Sequence, residues 1–429
     1  MSGQQGSIRI VGGRLLDASR DGEQQTLLIR DGRITAVGPA AEQGEAERVI
    51  DASGCTVTPG FVDLNCNLRE PGNGQKGNIA SESRAAARGG FTTVCTSPQT
   101  SPVNDSSAVT RMIREVAEAQ SPIRVLPVGA VTRGLAGELL SDMAGLAAAG
   151  CVALGNGSLA VSNARILRRC MAYARTHDIT LMMAPVNDAL ASDGYAHDGP
   201  VATRLGLSGI PEVAETTAVM ELLLLAEETG VRLHLSQLSC GRSVDMVAEA
   251  QRRGVAVTAD VAMHQLLFTE EALAGFDSRF HVQPPLRTEA DRQALLAGVR
   301  EGVIGAIVSQ HQPHDSAAKQ APVGATEPGL STVESVLSMG LHLVRDGELD
   351  EQQLVRSLTA GPASVLGRAA SLDEGAVADL CVFDPQACWR ADDQTLVSVG
   401  KHAPIRQQDL FGVVRSTWCD GREAWRCQG

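Results

Sequence analysis

Two hydrophobic rhythms divide the chain. Both ends carry short apolar runs broken by turns. Ser7-Ile8-Arg9-Ile10-Val11 runs into Gly12-Gly13, and Thr26-Leu27-Leu28-Ile29-Arg30 into Asp31-Gly32, with Arg33-Ile34-Thr35-Ala36-Val37 beyond. Near the other end, Ala378–Asp384 is strand-like and Val413–Cys419 runs into Asp420-Gly421. An Asp-Gly pair between strand-like runs is a strong hairpin signal. The two ends therefore predict one small β-sandwich domain built from residues 1–58 and 371–429.

Residues 59–370 have a different texture, alternating strand and helix. Helical patterns over 162–176, 212–229, 243–253 and 289–300 are each followed by an apolar run, at 179–183, 231–236, 255–260 and 304–309. Gly254 is a helix stop. Repeated units of this kind predict a parallel sheet with crossover helices. At roughly 300 residues, a closed (β/α)8 TIM barrel is the favoured α/β architecture. Two polar stretches, 185–210 and 312–329, read as long loops of the sort that cover binding sites.

Composition narrows the function classes. The 429 residues are 43% hydrophobic and 20% charged, ordinary for a globular protein. A net charge of −13 argues against a nucleic-acid or anionic-membrane binder, and 3% aromatics against a stacking platform for single strands. No run approaches the ~20 apolar residues of a membrane span. The N-terminal stretch lacks an apolar signal core, and the ten cysteines form no C-x-x-C pair. Reduced thiols and a cytoplasmic location are the expectation. No G-x-x-x-x-G-K-[ST] loop is present, and Gly89-Gly90 reads as a helix-to-strand turn.

In such a barrel, chemistry sits at the C-terminal ends of the strands. The first barrel strand ends in GFVDLNCNLREPG, residues 60–72. Asn65 and Asn67, spaced i and i+2, project the same way, and Cys66 between them points elsewhere. Two histidines at that spacing would indicate a metal site; here they are asparagines. Other strand ends read Met183-Ala184-Pro185, His234-Leu235-Ser236-Gln237, Ala259–Gln265 and Ser309-Gln310-His311-Gln312-Pro313-His314-Asp315. Amides recur where ionisable ligands are expected.

PGFVDL, LREPG, AAARGGFTTV, SPQTSPVND, LLFTEE, PPLRTEADRQAL and GAVADLCVFDP, together with Pro313-His314-Asp315, carry a resemblance over nearly the whole chain. The chain resembles the dihydroorotases of the amidohydrolase superfamily, (β/α)8 metallohydrolases with a β-sandwich side domain that interconvert carbamoyl aspartate and dihydroorotate. The family's His-x-His falls on Asn65 and Asn67. Its further metal histidines fall on Ala184 and Gln237. Its Asp-Asp-Gly falls on Leu154-Gly155-Asn156-Gly157, one residue shorter, and its proton-shuttling Asp on Gln310. The family Arg that grips the substrate carboxylate matches Arg69. His314 matches a further substrate-side residue, and Gln99 stands where the family has Asn. The resemblance implies a pseudo-enzyme with no metal, no cofactor and only a vestigial substrate shell at Arg69, Gln99 and His314.

Inactive members of this family assemble with aspartate carbamoyltransferase, so its catalytic chain is the expected partner, in a hetero-oligomer and with a homo-oligomer possible. Two other functions stay open: an active amidohydrolase with an altered or single-metal site, resting on His311, His314 and Arg69, and a sensor using the vestigial pocket. Plainer expectations stand beside these. Cys66 reads as a packed thiol, His234 as a satisfied interior histidine, and the charges of 212–228 as a solvated helix face.

Overall fold

The computed structural model describes residues 6–427; the first five and last two positions of the expected terminal domain lie outside them. Eight parallel strands run in sequential order around a barrel: Phe61–Asp63, Phe91–Thr96, Arg124–Ala130, Ala153–Gly155, Leu181–Met183, Leu233–Leu235, Val257–Ala262 and Ala306–Val308. Sequential order follows from the helical crossovers, since each returns the chain to the same edge with the same hand. Alternation splits the strand side chains. Val62, Leu64, Cys95, Val128, Met182 and Val308 fill the interior, whereas Phe61, Phe91, Leu181 and Leu233 pack outward on the helices.

The seam between the first and last barrel strands is closed by the stretch that carries the asparagines. Cys66 and His311 form a parallel bridge, and Asn67 N–H donates to His311 O at 2.8 Å. Asp63 accepts Ser309 N–H at 3.1 Å and the Ser309 hydroxyl. The backbone at 65–67 is thus fixed by barrel closure whatever its side chains do.

Both chain ends meet in a second sheet of eight strands. Ile8–Leu16, Asp21–Arg30, Arg33–Val37, Arg48–Asp51 and Thr56–Pro59 join Leu380–Arg390, Asp409–Cys419 and Arg422–Arg426. The chain crosses between ends where Thr56–Pro59 pairs antiparallel with Leu380–Phe383. Both Asp-Gly hairpins form, with Asp31 at φ 49° and Gly32 at 75°, and Asp420 at 51° and Gly421 at 72°. Positive φ at both turn residues matches the twist of the flanking strands. Gly90, φ 93°, joins the helix Ile79–Arg88 to the next barrel strand; a Cβ there would lie 2.7 Å from Cys381 Sγ and 2.8 Å from the Phe61 ring. Barrel and terminal sheet touch too closely at that point for any side chain.

Two expectations need correction. The stretch 185–210 is not a bare loop: it holds the helices Asp188–Ala191 and Pro200–Leu205 and a two-strand pair, Ala196–His197 with Gly209–Ile210. Its elements are too short for periodicity to reveal. The stretch 312–329 does stay irregular apart from single 3-10 turns at Ala317–Lys319 and Val323–Ala325. The charges of 212–228 are not all solvated. Glu215 is buried and accepts Ser239 N–H at 3.1 Å, the Ser239 hydroxyl, and Cys240 N–H at 3.1 Å, at the start of the helix Gly241–Arg252. Four helix-start donors have no intrahelical partner, so a buried carboxylate is well placed there. Glu227 and Glu228 do lie at the surface, paired with Arg253 and Arg168.

Candidate functional site at the barrel mouth

The C-terminal ends of the strands open onto a small space of about 40 Å³ lined by Asn65, Asn67, Gln99, Ser236, Gln237 and Gln312, with Thr96, Met182 and Gly155 beneath. Among the described residues, none that lines it carries an ionisable side chain. The asparagines project into it side by side, as alternation requires, and Cys66 packs outward in the core between barrel and helices. Burial pushes the Cys66 thiol well above its usual range, helped by the nearby Asp63 and Glu82 carboxylates. No disulfide joins the cysteines among the described residues.

Three of the five lining amides, Asn67, Gln99 and Gln237, are already engaged through their oxygens. Asn67 Oδ1 accepts Arg69 N–H at 3.0 Å, closing the turn that leads away from the strand. Gln99 Oε1 accepts Ser158 N–H at 3.0 Å and its hydroxyl at 3.1 Å. Gln99 lies over Gly157, where a Cβ would come within 2.4 Å of the amide. Gln237 Oε1 accepts from Gln310 Nε2 at 3.2 Å, and that same nitrogen donates to Gln283 O at 2.7 Å. These partners fix which end of each amide faces where. The NH2 ends of Asn67, Gln99 and Gln237 have no acceptor among the described residues, so the mouth presents mainly donors.

Gln237, Gln310 and Arg69 all sit at positive φ, 57°, 50° and 62°. Each is the residue at which the chain turns out of a strand end. Side chains other than glycine seldom hold that conformation unless the surroundings enforce it. Here buried carboxylates enforce part of it. Asp260 Oδ1 accepts Gln237 N–H at 2.7 Å, and Asp63 Oδ1 accepts Asn65 N–H at 3.1 Å. Burial raises the Asp63 carboxyl above its ordinary range. Asp260 also takes His234 Nε2 at 2.8 Å, while His234 Nδ1 meets Thr258 Oγ1 at 2.8 Å, so His234 is a satisfied interior histidine as expected.

The other expected positions scatter. Asn156 is not at the mouth. It is buried and held by Thr132 Oγ1 at 2.9 Å and by the carbonyls of Leu159 and Ala160 at 3.3 Å. Ala184 lines a neighbouring cavity of about 300 Å³ below the 185–210 segment. Arg69 and His314 meet each other at 3.1 Å beside the mouth. Arg69 Nε donates to Pro313 O at 2.9 Å, and His314 Nε2 lies 2.9 Å from Pro328 O. Burial, and then the Arg69 charge, pull the His314 pKa down to about 4. Lys76, also close to His314, forms two 2.6 Å contacts with Glu327.

His311 and His314 do not converge. His311 Nδ1 accepts Thr332 N–H at 3.1 Å, so Nε2 carries the proton and donates to Glu82 Oε2 at 2.8 Å. The Glu82 carboxylate also takes the Ser398 hydroxyl at 2.6 Å and Val399 N–H at 3.1 Å, tying the barrel to the C-terminal segment. Burial raises its pKa, but these hydrogen bonds outweigh it and the net shift is downward. Glu82, Asp260, Glu215 and Arg287 are the polar residues that sequence reasoning missed. Each sits in an ordinary helix, strand or loop pattern, and only its distant partner marks it out. Among the described residues, no group of three or more His, Cys, Asp or Glu is placed to hold a metal ion. No helix among them is long and apolar enough to cross a membrane.

Comparison with known proteins agrees with this layout. A family model described as "Dihydro-orotase-like" matches residues 54–243. A "Dihydroorotase-like protein" of Pseudomonas aeruginosa is 47% identical over 417 residues, covering 97% of this chain and 98% of the relative. A "Dihydroorotase" of Anaeromyxobacter dehalogenans is 41% identical over 418 residues, 96% of each chain. Among solved structures, L-hydantoinase (dihydropyrimidinase) from Arthrobacter aurescens superposes with a TM-score of 0.88 at 22% identity, over 98% of this chain and 96% of that one. At that identity the likeness is one of fold.

Proposed function

The chain belongs to the dihydroorotase-like family, and from that premise we propose that it is a non-catalytic member, a structural and assembly partner of the aspartate carbamoyltransferase catalytic chain in pyrimidine biosynthesis. One observation carries the loss of catalysis: the lining of the mouth has no ionisable side chain. The family's chemistry needs two divalent cations, held by imidazoles and carboxylates, to bring a bound water's pKa to around 7. The residues present do not fit such a pair. Amides bring no charge, and the oxygens of Asn67, Gln99 and Gln237 already accept hydrogen bonds. The Gln310 carboxamide is not basic enough to accept and return a proton as a general base must.

The partner follows from the family resemblance, in which inactive members assemble with that enzyme. What supports it physically is the kind of side chain retained. The barrel seam, the Glu82–His311 tie and both hairpins serve the scaffold, and an interface needs a folded surface more than it needs a metal. A single-metal amidohydrolase is the weaker reading, because both ring nitrogens of His311 are taken by protein partners. The test is to purify the chain alone and with the carbamoyltransferase, then measure co-elution, bound metal and dihydroorotase turnover. Co-elution without turnover supports the proposal. A stoichiometric metal pair with chelator-sensitive ring closure overturns it.

A further inference from the structure

The cavity of about 300 Å³ beside the mouth has an unusual distribution of donors. It lies between the strand ends and the 185–210 segment, with Ala184, Pro185, Ile210 and Pro284 as apolar walls. Four polar residues on its wall are buried: Arg287, Glu215, Gln237 and Ser236, at 3%, 4%, 6% and 8% exposed. Glu215 is an acceptor spent on Ser239 and Cys240, whereas each of the other three keeps a donor that no protein group takes, among the described residues.

Arg287 is the strongest of the three. Its Nε donates to Ser239 Oγ at 3.1 Å, and its Nη1 donates to Ile210 O at 2.7 Å and lies 3.0 Å from His197 Nδ1. Nη2 has no partner, and no carboxylate lies within ion-pair distance of the guanidinium. The nearest compensation is relayed: Ser239 takes Arg287 Nε and gives its hydroxyl proton to Glu215. Glu215 is itself saturated by Ser239 and Cys240. A buried guanidinium edge without an anion is costly, and sites of this kind are where anions settle. The Gln237 amide cannot turn its oxygen to the cavity without losing Gln310, so it offers Nε2. The Ser236 hydroxyl is free. Asp188 and Asp193 stand at the exposed rim, where solvent screens them.

The geometry points to a binding site for a small carboxylate in this cavity, its oxygens on Arg287 Nη2, Gln237 Nε2 and Ser236 Oγ, and its compact body against Ala184, Pro185 and Pro284. This is a different set of residues from Arg69 and His314, which hold the carbonyls of Pro313 and Pro328. A guanidinium fork suits a carboxylate, and the volume sits at the small end of ligand pockets. Occupancy would tie the 185–210 segment to the strand ends. The inference does not depend on whether the chain turns over a substrate.

The probes are benzoate, pyroglutamate and succinate, each titrated calorimetrically into the full chain beside its neutral amide. At least one acid is expected to bind saturably at about millimolar Kd or better, with its amide at least about tenfold weaker. Ala184→Leu, which fills the cavity and leaves all three donors, is expected to weaken that binding about tenfold or more. Gln237→Leu is expected to do the same, and serves alone should Ala184→Leu not fold. Crystals soaked in para-bromobenzoate locate the ligand directly, with bromine expected against the proline wall. The inference falls if no acid saturates by about 10 mM, if acid and amide bind alike, or if the bromine lies beside Arg69.

Discussion

Gln310 and Gln237 meet amide to amide across the barrel mouth, Gln310 Nε2 donating to Gln237 Oε1 at 3.2 Å and to Gln283 O at 2.7 Å. Gln310 Oε1 is left buried with no partner. The pair takes this one orientation because reversing Gln310 would set its oxygen against two other oxygens. Two strand ends and the Gln283 loop are thereby joined by neutral hydrogen bonds, at the place where the family resemblance leads one to expect charge.

Gln310→Asp is expected to destabilise the chain by about 2 kcal/mol at neutral pH, since the new carboxylate would be buried opposite carbonyl oxygens. Its folded pKa would be raised above the unfolded ~3.9. The penalty is therefore present above the folded pKa and vanishes as pH falls toward the unfolded one. Urea unfolding of the variant and the parent at neutral and acid pH checks both the size and the sign.

Chelation should leave the parent chain unaffected. On the proposed reading no folding energy is vested in a metal, so its thermal midpoint with and without EDTA is expected to agree within about 1 °C. Introducing Asn65→His, Asn67→His, Gln237→His and Gln310→Asp together is expected to create zinc affinity, read as an EDTA-sensitive rise in midpoint.

Removing the Glu82 carboxylate is expected to cost about 1–3 kcal/mol for each buried donor left unsatisfied, the Nε2–H of the neutral His311 ring first among them. Glu82→Ala does more than remove charge, since Ser398 and Val399 also lose their acceptor. Denaturant unfolding gives the loss, and limited proteolysis near 398–402 is expected to quicken.

His264 is fully buried, and neither ring nitrogen has a hydrogen-bond partner; desolvation takes its pKa to about 4. The unfolded chain binds that proton near pH ~6.5 and the folded chain refuses it until about 4, so stability falls as pH drops through this window. His264→Leu is expected to gain about 1 kcal/mol at neutral pH by removing unpaired polar atoms. Its advantage over the parent should widen toward pH 4 by up to about 3 kcal/mol. Paired unfolding curves isolate this one group from the others that titrate there.

Part of the architecture was legible because its signals are local. Asp31-Gly32 and Asp420-Gly421 declare hairpins through backbone geometry alone, and the helices 212–229 and 289–300 appear within a residue or two of their expected bounds as Val213–Thr229 and Glu289–Glu301. The asparagine pair was legible too, since alternation on a strand needs no tertiary knowledge. Asn156 lies away from the mouth because its side chain turns into the protein toward Thr132, a partner that no local pattern announces. The 185–210 elements were missed because four or six residues carry no period. Glu215 was assigned to a solvated face because helical spacing does not say which neighbour starts at its tip.

The sequence by itself determined the barrel, the paired β ends and the absence of charge at 65 and 67, because hydrophobic period, turn residues and side-chain identity are properties of neighbours along the chain. Only the tertiary structure decided which amide oxygens are spent and which donors remain, and that His311 serves Glu82 while Arg287 lines a cavity beside the strand ends. Most of those are relations between residues distant along the chain, set by packing, and a hydrogen bond can be counted only once both of its ends are in place.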